Sequence, residues 1–324
     1  MTETVLRRLL QSVWVVAAMS VIVFIGIYAI GDPVELLVPE ETPAADKSRI
    51  VAHLGLDQPL HVQYLRFVSD VASGDFGLSF VYNTPALGLI LDRLPATLEL
   101  AITSMVIAVA LAIPLGLLAG LRPRAASSRG IMLGSILGFS LPSFWVGLML
   151  ILIFSIWLGW LPSSGRHTGT VLGVETSFAS WTGISHLILP AVNLALFQLA
   201  LVIRLVRAGV VEAMTADYVR YAVSKGLRDR RIMLVHVLKN IMIPVVTVIG
   251  LELGTVIAFA VVTETIFAWP GTGKLIIDSI YQLDRPVIVA YLMIIVLLFV
   301  TINFIVDLVY LALDPRARGG GASA

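Results

Sequence analysis

Six predominantly apolar stretches, 9–30, 96–121, 131–160, 186–208, 241–268 and 286–312, dominate the chain. A bilayer core about 30 Å thick takes roughly 20 such residues per helix. Every stretch is long enough to cross, and too long for the buried helices of a water-soluble core. The remaining composition agrees, since 13% of the 324 residues are charged where soluble domains carry about 25%. The expected fold class is therefore an all-α polytopic membrane protein with six transmembrane helices. The first stretch follows Arg7 and Arg8 as a signal peptide would, but its apolar run is long and no small-x-small site precedes Gly31, so a retained anchor is expected.

Loop charge gives the orientation. With six crossings both termini share one side, and that side collects fifteen of the 22 Lys and Arg. They are Arg7 and Arg8, then Arg122, Arg124 and Arg129, eight residues within 204–240, and Arg316 and Arg318. The other side holds Lys47, Arg49, Arg66, Arg93, Arg166, Lys274 and Arg285. Basic loops stay in the cytoplasm, so both termini and the loop 209–240 are expected there, in the plasma (inner) membrane. The net charge of +1 gives no bulk attraction for nucleic acid. Zero cysteines exclude disulfides, thiol nucleophiles and cysteine–zinc sites.

Within that loop, "DYVRYAVSKGLRDRR" (217–231) has internal order. Thr215 is placed as an N-cap, Asp217 lies in a first turn where the helix dipole favours an anion, and Gly226 stands where a helix end needs positive φ. The spacing predicts a short helix over 216–225 and a second one capped by Asp229. Tyr218, Ala222 and Lys225 fall on one face. Such a shaped surface suits a cytosolic partner.

This loop resembles the EAA loop of ABC importer permeases, written E-A-A-x3-G-x9-I-x-L-P. Here Arg220-Tyr221-Ala222 replaces E-A-A, Gly226 keeps the glycine, and His236 and Lys239 stand for Ile and Pro. The variant, followed by "KNIMIP" (239–244), is similar to the B-type permease subunit of dipeptide, oligopeptide and nickel importers. Further stretches agree in order and spacing: "GDP" (31–33), "LGLDQPL" (54–60), "GDFGLSF" (74–80), "RLPATLELA" (93–101), "IPLGLLAGL" (113–121), "LPSFWVGL" (141–148), "ETIFAWPGTGKL" (264–275) and "DP" (314–315).

The resemblance implies a type I ABC importer permease fold whose 216–226 helix is a coupling helix. Asp217, Tyr218, Arg220, Tyr221, Ala222, Lys225 and Gly226 would then meet a nucleotide-binding subunit. It also implies the partners: two ABC ATPase subunits that hold the ATP and Mg, a second, similar but non-identical permease subunit, and an extracytoplasmic solute-binding protein. The chain itself would bind no cofactor and catalyse no reaction, and its cargo would be peptide before nickel. The expected organisation is 1–95 as an anchor plus an extracytoplasmic segment, 96–312 as a five-helix core carrying the coupling loop 209–240, and 313–324 as a tail.

Ionisable groups inside a membrane are costly and mark functional candidates. Glu252 lies about 12 Å along its helix from Pro244, and Glu264 about 18 Å further; Asp307 lies near the inner end of the last span. Glu252 and Glu264, with Asn193 and Gln198 on the fourth span, are the candidate lining of a pathway. Polar side chains that glue helices together are as common as pore lining. Gly271-Thr272-Gly273-Lys274 is no P-loop, because that pattern requires glycine at 268 and Ser or Thr at 275, where Ala268 and Leu275 stand; it reads as a turn after the fifth span. The segment 31–95 shows a helical stretch near 59–72 among its prolines and suits either a packed connector or a docking lid. The five histidines have no metal-ligand spacing, and neither H-E-x-x-H nor G-x-S-x-G occurs. Pro114, Pro142, Pro190 and Pro244 would kink spans, as suits rocking and static bundles alike. The alternative function is an ATP-independent secondary carrier or channel, although no inverted repeat accompanies these six unequal spans.

Overall fold

A computed structural model describes residues 2–29 and 57–313, with side chains from 6 to 26 and from 57 to 309. The "GDP" and "DP" motifs, the first three residues of "LGLDQPL", and Lys47, Arg49, Arg316 and Arg318 lie outside the described residues.

In chain order the helices are α1 (Thr2–Ala29), α2 (Leu60–Ser73), α3 (Ala86–Leu121), α4 (Ala126–Ser140) and α5 (Ser143–Trp157). After a hairpin come α6 (Trp181–Thr215), α7 (Asp217–Ser224), α8 (Asp229–Ile266), α9 (Thr272–Tyr281) and α10 (Arg285–Leu313). Among the described residues α1, α3, α6, α8 and α10 are long and apolar enough to cross a bilayer, and α4 with α5 makes a sixth crossing if that bent pair counts as one.

That pair corrects the expectation of a continuous span over 131–160, for the two helices meet at 105°. Proline has no N–H to give and drives the preceding residue out of the helical region. Leu141 (φ −79°, ψ 135°) and Pro142 (φ −59°, ψ 132°) are both extended accordingly. The other prolines, Pro95 and Pro114 in α3, Pro190 in α6 and Pro244 in α8, lie within continuous helices. Helices also outrun the apolar stretches: α3 begins at Ala86, and α6 runs to Thr215, into the segment read as loop. Hydropathy marks the hydrocarbon slab, whereas backbone hydrogen bonding continues past it. Ser180 starts α6 by accepting the Gly183 N–H at 3.0 Å.

Among the described residues, one small sheet joins this helical fold. Strands β1 (Gly169–Val171) and β2 (Val174–Thr176) pair antiparallel, Gly169 opposite Thr176. Leu172 (φ 52°) and Gly173 (φ 83°) at its tip both have the positive φ of a tight hairpin turn.

The chain forms two compact units, residues 1–92 with 275–300, and 93–274 with 301–324. In the first, α1 and α2 meet through the Ser20 Oγ–Tyr64 hydroxyl bond (2.8 Å) and an edge-on Phe24–Tyr64 pair. Val23, Val289 and Met293 are buried there against Phe67, Val71 and Phe76. The Ser79 hydroxyl donates to the buried Asp284 carboxylate, which also accepts the Phe80 N–H at 3.1 Å. Helix α2 fits the expected helical stretch.

The second unit is centred on α6. Its residues Val202, Ile203, Val206 and Val210 are buried against Ala112 of α3 and Ile241 and Val245 of α8. The α3–α6 approach depends on two glycines: a Cβ on Gly116 would stand 2.7 Å from that of Val206, and one on Gly120 2.6 Å from that of Val210. Gly-x-x-x-Gly spacing puts both on one helix face, where backbones come close.

Candidate functional site

Helix α7 is set off from α6 by a single extended residue, Ala216 (φ −74°, ψ 148°). Thr215 does not cap it. Its hydroxyl donates back to the Glu212 carbonyl at 2.8 Å, closing α6 instead, and Ala216 takes the cap position with no side-chain bond. Asp229 likewise begins α8 as its first residue, behind Arg228, without a capping bond. Asp217 lies in the first turn of α7, and Arg220 stands 3.8 Å from it as an exposed pair of small energetic weight.

The far end of α7 closes as expected. Gly226 has φ 71°; its N–H donates to Val223 O (2.9 Å), and Leu227 N–H to Ala222 O (3.3 Å). These two bonds are the Schellman pattern, and Leu227 packs against the apolar cluster beneath.

The two sides of α7 differ sharply. Val219 and Ala222 are 2% and 5% exposed, within a cluster that includes Ile232 and Val237 of α8. Asp217, Tyr218, Arg220, Tyr221, Lys225 and Gly226 face outward, with the Lys225 Nζ 5.3 Å from the Tyr221 ring centre. Ala222 therefore leaves the face assigned to it with Tyr218 and Lys225. Only Val219 and Ala222, three apart and apolar, turn toward the bundle, and Ala222 is a bolt to this chain's own core.

Of the four pathway candidates, Asn193 and Gln198 come together on a cavity of about 350 Å³ between α4, α5, α6 and α8, which Phe139, Phe197, Phe259 and Thr263 also line. Asn193 donates from Nδ2 to Thr263 Oγ1 at 3.0 Å. Its Oδ1, and Oε1 of Gln198, have no hydrogen-bond partner among the described residues. Glu252 is half-buried on α8 outside the cavity lining, and its Oε2 also lacks a partner. Asp307 is half-buried on α10.

Glu264 does not line a pathway here: it is 0% exposed. Its carboxylate accepts the Thr97 hydroxyl (2.7 Å) and the Lys274 N–H (3.0 Å), at the start of α9, where free N–H groups favour an anion. Thr97 Oγ1 in turn accepts the Thr272 N–H at 2.8 Å. A Cβ on Gly271 would collide with the Glu264 carboxylate. The glycines of "PGTGK" thus leave room for a buried carboxyl group, and Thr272, Gly273 and Lys274 open a helix where a turn was expected.

A second buried polar node had no counterpart in the expected site. Arg166 donates to the Glu99 carboxylate, which also accepts the Ser177 N–H at 2.8 Å. The Arg166 guanidinium stands 5.5 Å from the centre of the Trp269 ring, and the fully buried Trp269 donates to Ala96 O at 2.9 Å. The signal was Glu99 itself, a carboxylate four residues into an apolar run. Among the described residues, no group of three or more His, Cys, Asp or Glu side chains is placed to hold a metal.

Helices of membrane length, a mostly apolar cavity between them that holds Asn193 and Gln198, and a short helix bolted to their ends define a polytopic membrane protein. Residues 112–319 match the family described as the inner membrane component of binding-protein-dependent transport systems, and residues 1–101 match the N-terminal part of that component. The chain belongs to this family. It is 38% identical, over 98% of its length and 99% of the relative's, to the oligopeptide transport system permease protein AppB of Bacillus subtilis. To the di/tripeptide transport system permease protein DppB of Pseudomonas aeruginosa it is 40% identical, over 89% and 90%. In fold it is similar to a chain of the inward-facing MetNI methionine ABC transporter, with a TM-score of 0.56 at 16% identity, covering 70% of this chain and 96% of that one. The fold is that of an ABC importer permease.

Proposed function

We propose that this chain is one of two membrane subunits of an ATP-driven importer of di- or oligopeptides, forms half of the translocation pathway, and is driven through α7. The carrying observation is the two-sidedness of that helix. Val219 and Ala222 lock it into the core shared by α6 and α8, while Tyr218, Arg220, Tyr221 and Lys225 are exposed on the other side. A short helix with an exposed polar and aromatic face fits a cytosolic ATPase subunit, and the shared core passes its displacement to the cavity-lining helices. The peptide cargo is supported by the two relatives that carry peptide names. The rest of the assembly is a second ATPase subunit, a similar but non-identical permease chain and an extracytoplasmic binding protein that delivers the cargo. The ATP and Mg belong to the ATPase subunits. Lys and Arg counts support an orientation with both termini in the cytoplasm.

Affinity purification in mild detergent tests the assembly, and reconstitution tests the drive. ATPase subunits are expected to co-purify, with peptide uptake requiring ATP and binding protein. Uptake by the membrane chains alone, driven by an ion gradient, would establish the carrier alternative and end the importer reading.

A further inference from the structure

The cavity beside Asn193 and Gln198 combines two features that seldom coexist in a packed bundle. Its volume of about 350 Å³ falls in the small-molecule range. Asn193 and Gln198, 4% and 3% exposed, each keep a carbonyl oxygen that no donor meets among the described residues. A buried acceptor left unpaired is costly, so such oxygens are structurally unfavourable unless something transient satisfies them. Terminal amide torsions are broad, so an amide oxygen can reorient toward a guest.

The wall narrows the chemistry of that guest. None of the described lining residues is charged, so the cavity suits N–H donors of a solute that must leave again. Phe139 and Phe197 stack at 4.7 Å between ring centres, and Phe259 adds a third ring to the lining. Toward the α7 end of these helices, Arg204 of α6 lays its guanidinium 4.8 Å from the Phe139 ring centre. Glu252 of α8 lies about one turn from Thr255 in the same direction. Charges of both signs therefore stand on that side of the cavity along α6 and α8, outside its lining, an arrangement compatible with a zwitterion.

We propose that this cavity is a transit seat for a short peptide. The amide oxygens of Asn193 and Gln198 take hydrogen bonds from its ammonium or backbone N–H groups, the phenylalanine rings receive a side chain, and Arg204 attracts its carboxylate. The proposal rests on the peptide-import reading above.

The test uses the complete transporter, reconstituted with its partner subunits and binding protein, and a tripeptide whose central residue is p-benzoylphenylalanine. Illumination during ATP-driven uptake is expected to place crosslinks in 138–146, 193–198 or 255–263, removed by excess trialanine. Asn193→Leu combined with Gln198→Leu is expected to cut uptake about tenfold or more, each lost hydrogen bond accounting for roughly three- to tenfold; Gln198→Glu, which keeps an acceptor, retains uptake. Crosslinks wholly outside those segments, or wild-type uptake in the double variant, overturn the seat and leave peptide import standing. If the wild-type assembly hydrolyses ATP but takes up no peptide, the cargo reading falls and the seat with it. The crosslink map is made on the wild-type chain, so the test holds even where the double variant fails to assemble.

Discussion

At Gly226 the backbone turns through φ 71° with open space where a Cβ would stand, so backbone strain alone opposes substitution. A side chain there costs roughly 1–2 kcal/mol, and asparagine less than a β-branched residue. Gly226→Val is expected to abolish most ATP-driven uptake while leaving membrane insertion intact, and Gly226→Asn to keep most of it; uptake assays normalised to inserted protein decide. Glu264 predicts a different outcome. In Glu264→Gln one carboxyl oxygen becomes an NH2 that cannot accept from the Thr97 hydroxyl or the Lys274 N–H, and a buried donor left unpaired costs about 1–3 kcal/mol. Thermal unfolding in detergent should show that loss, with the transported peptides unchanged in kind. A changed peptide profile at wild-type stability would restore Glu264 to the pathway. Gly226 was legible in the sequence because a helix stop is local chemistry. Glu264 was not, because its partners Thr97 and Lys274 come from other elements and depth along a helix does not say which way a side chain points. Ala222 was misplaced for the same reason: spacing finds faces, but not which face the bundle covers.

Among elements, the α3–α6 seam carries the firmest prediction. Gly120→Ala brings a methyl group against Val210, and overpacking of this kind costs about 1–3 kcal/mol. Val210→Gly in the same chain should recover part of the lost melting temperature, since it removes the Cβ and Cγ1 that are struck; a double variant no more stable than Gly120→Ala would show that the seam tolerates the methyl elsewhere. The membrane crossings were readable as apolar length, and Pro142 marked the site of the α4–α5 break without its 105° angle. Neither the hairpin nor the true helix ends were readable. Strands of three residues leave no alternation to detect, and the end of α6 is decided by Ala216 adopting an extended conformation.

For the molecule as a whole, the lack of cysteine makes orientation directly measurable. Ser224→Cys on α7 should react with a membrane-impermeant maleimide only from the cytoplasmic side, and Leu172→Cys, at the fully exposed hairpin tip, only from outside. The reverse pattern would overturn the charge-based topology and the coupling role of α7 together.

The first compact unit joins residues 1–92 to 275–300, and Val23, Phe67 and Val71 share their packing with Val289 and Met293. A ribosome thus synthesises most of the chain before the opening anchor meets the residues that complete its fold. Until then, nascent α1 depends on lipid, insertion machinery or chaperones for cover, and quality-control proteases should degrade chains that stop short of residue 275 faster than finished ones.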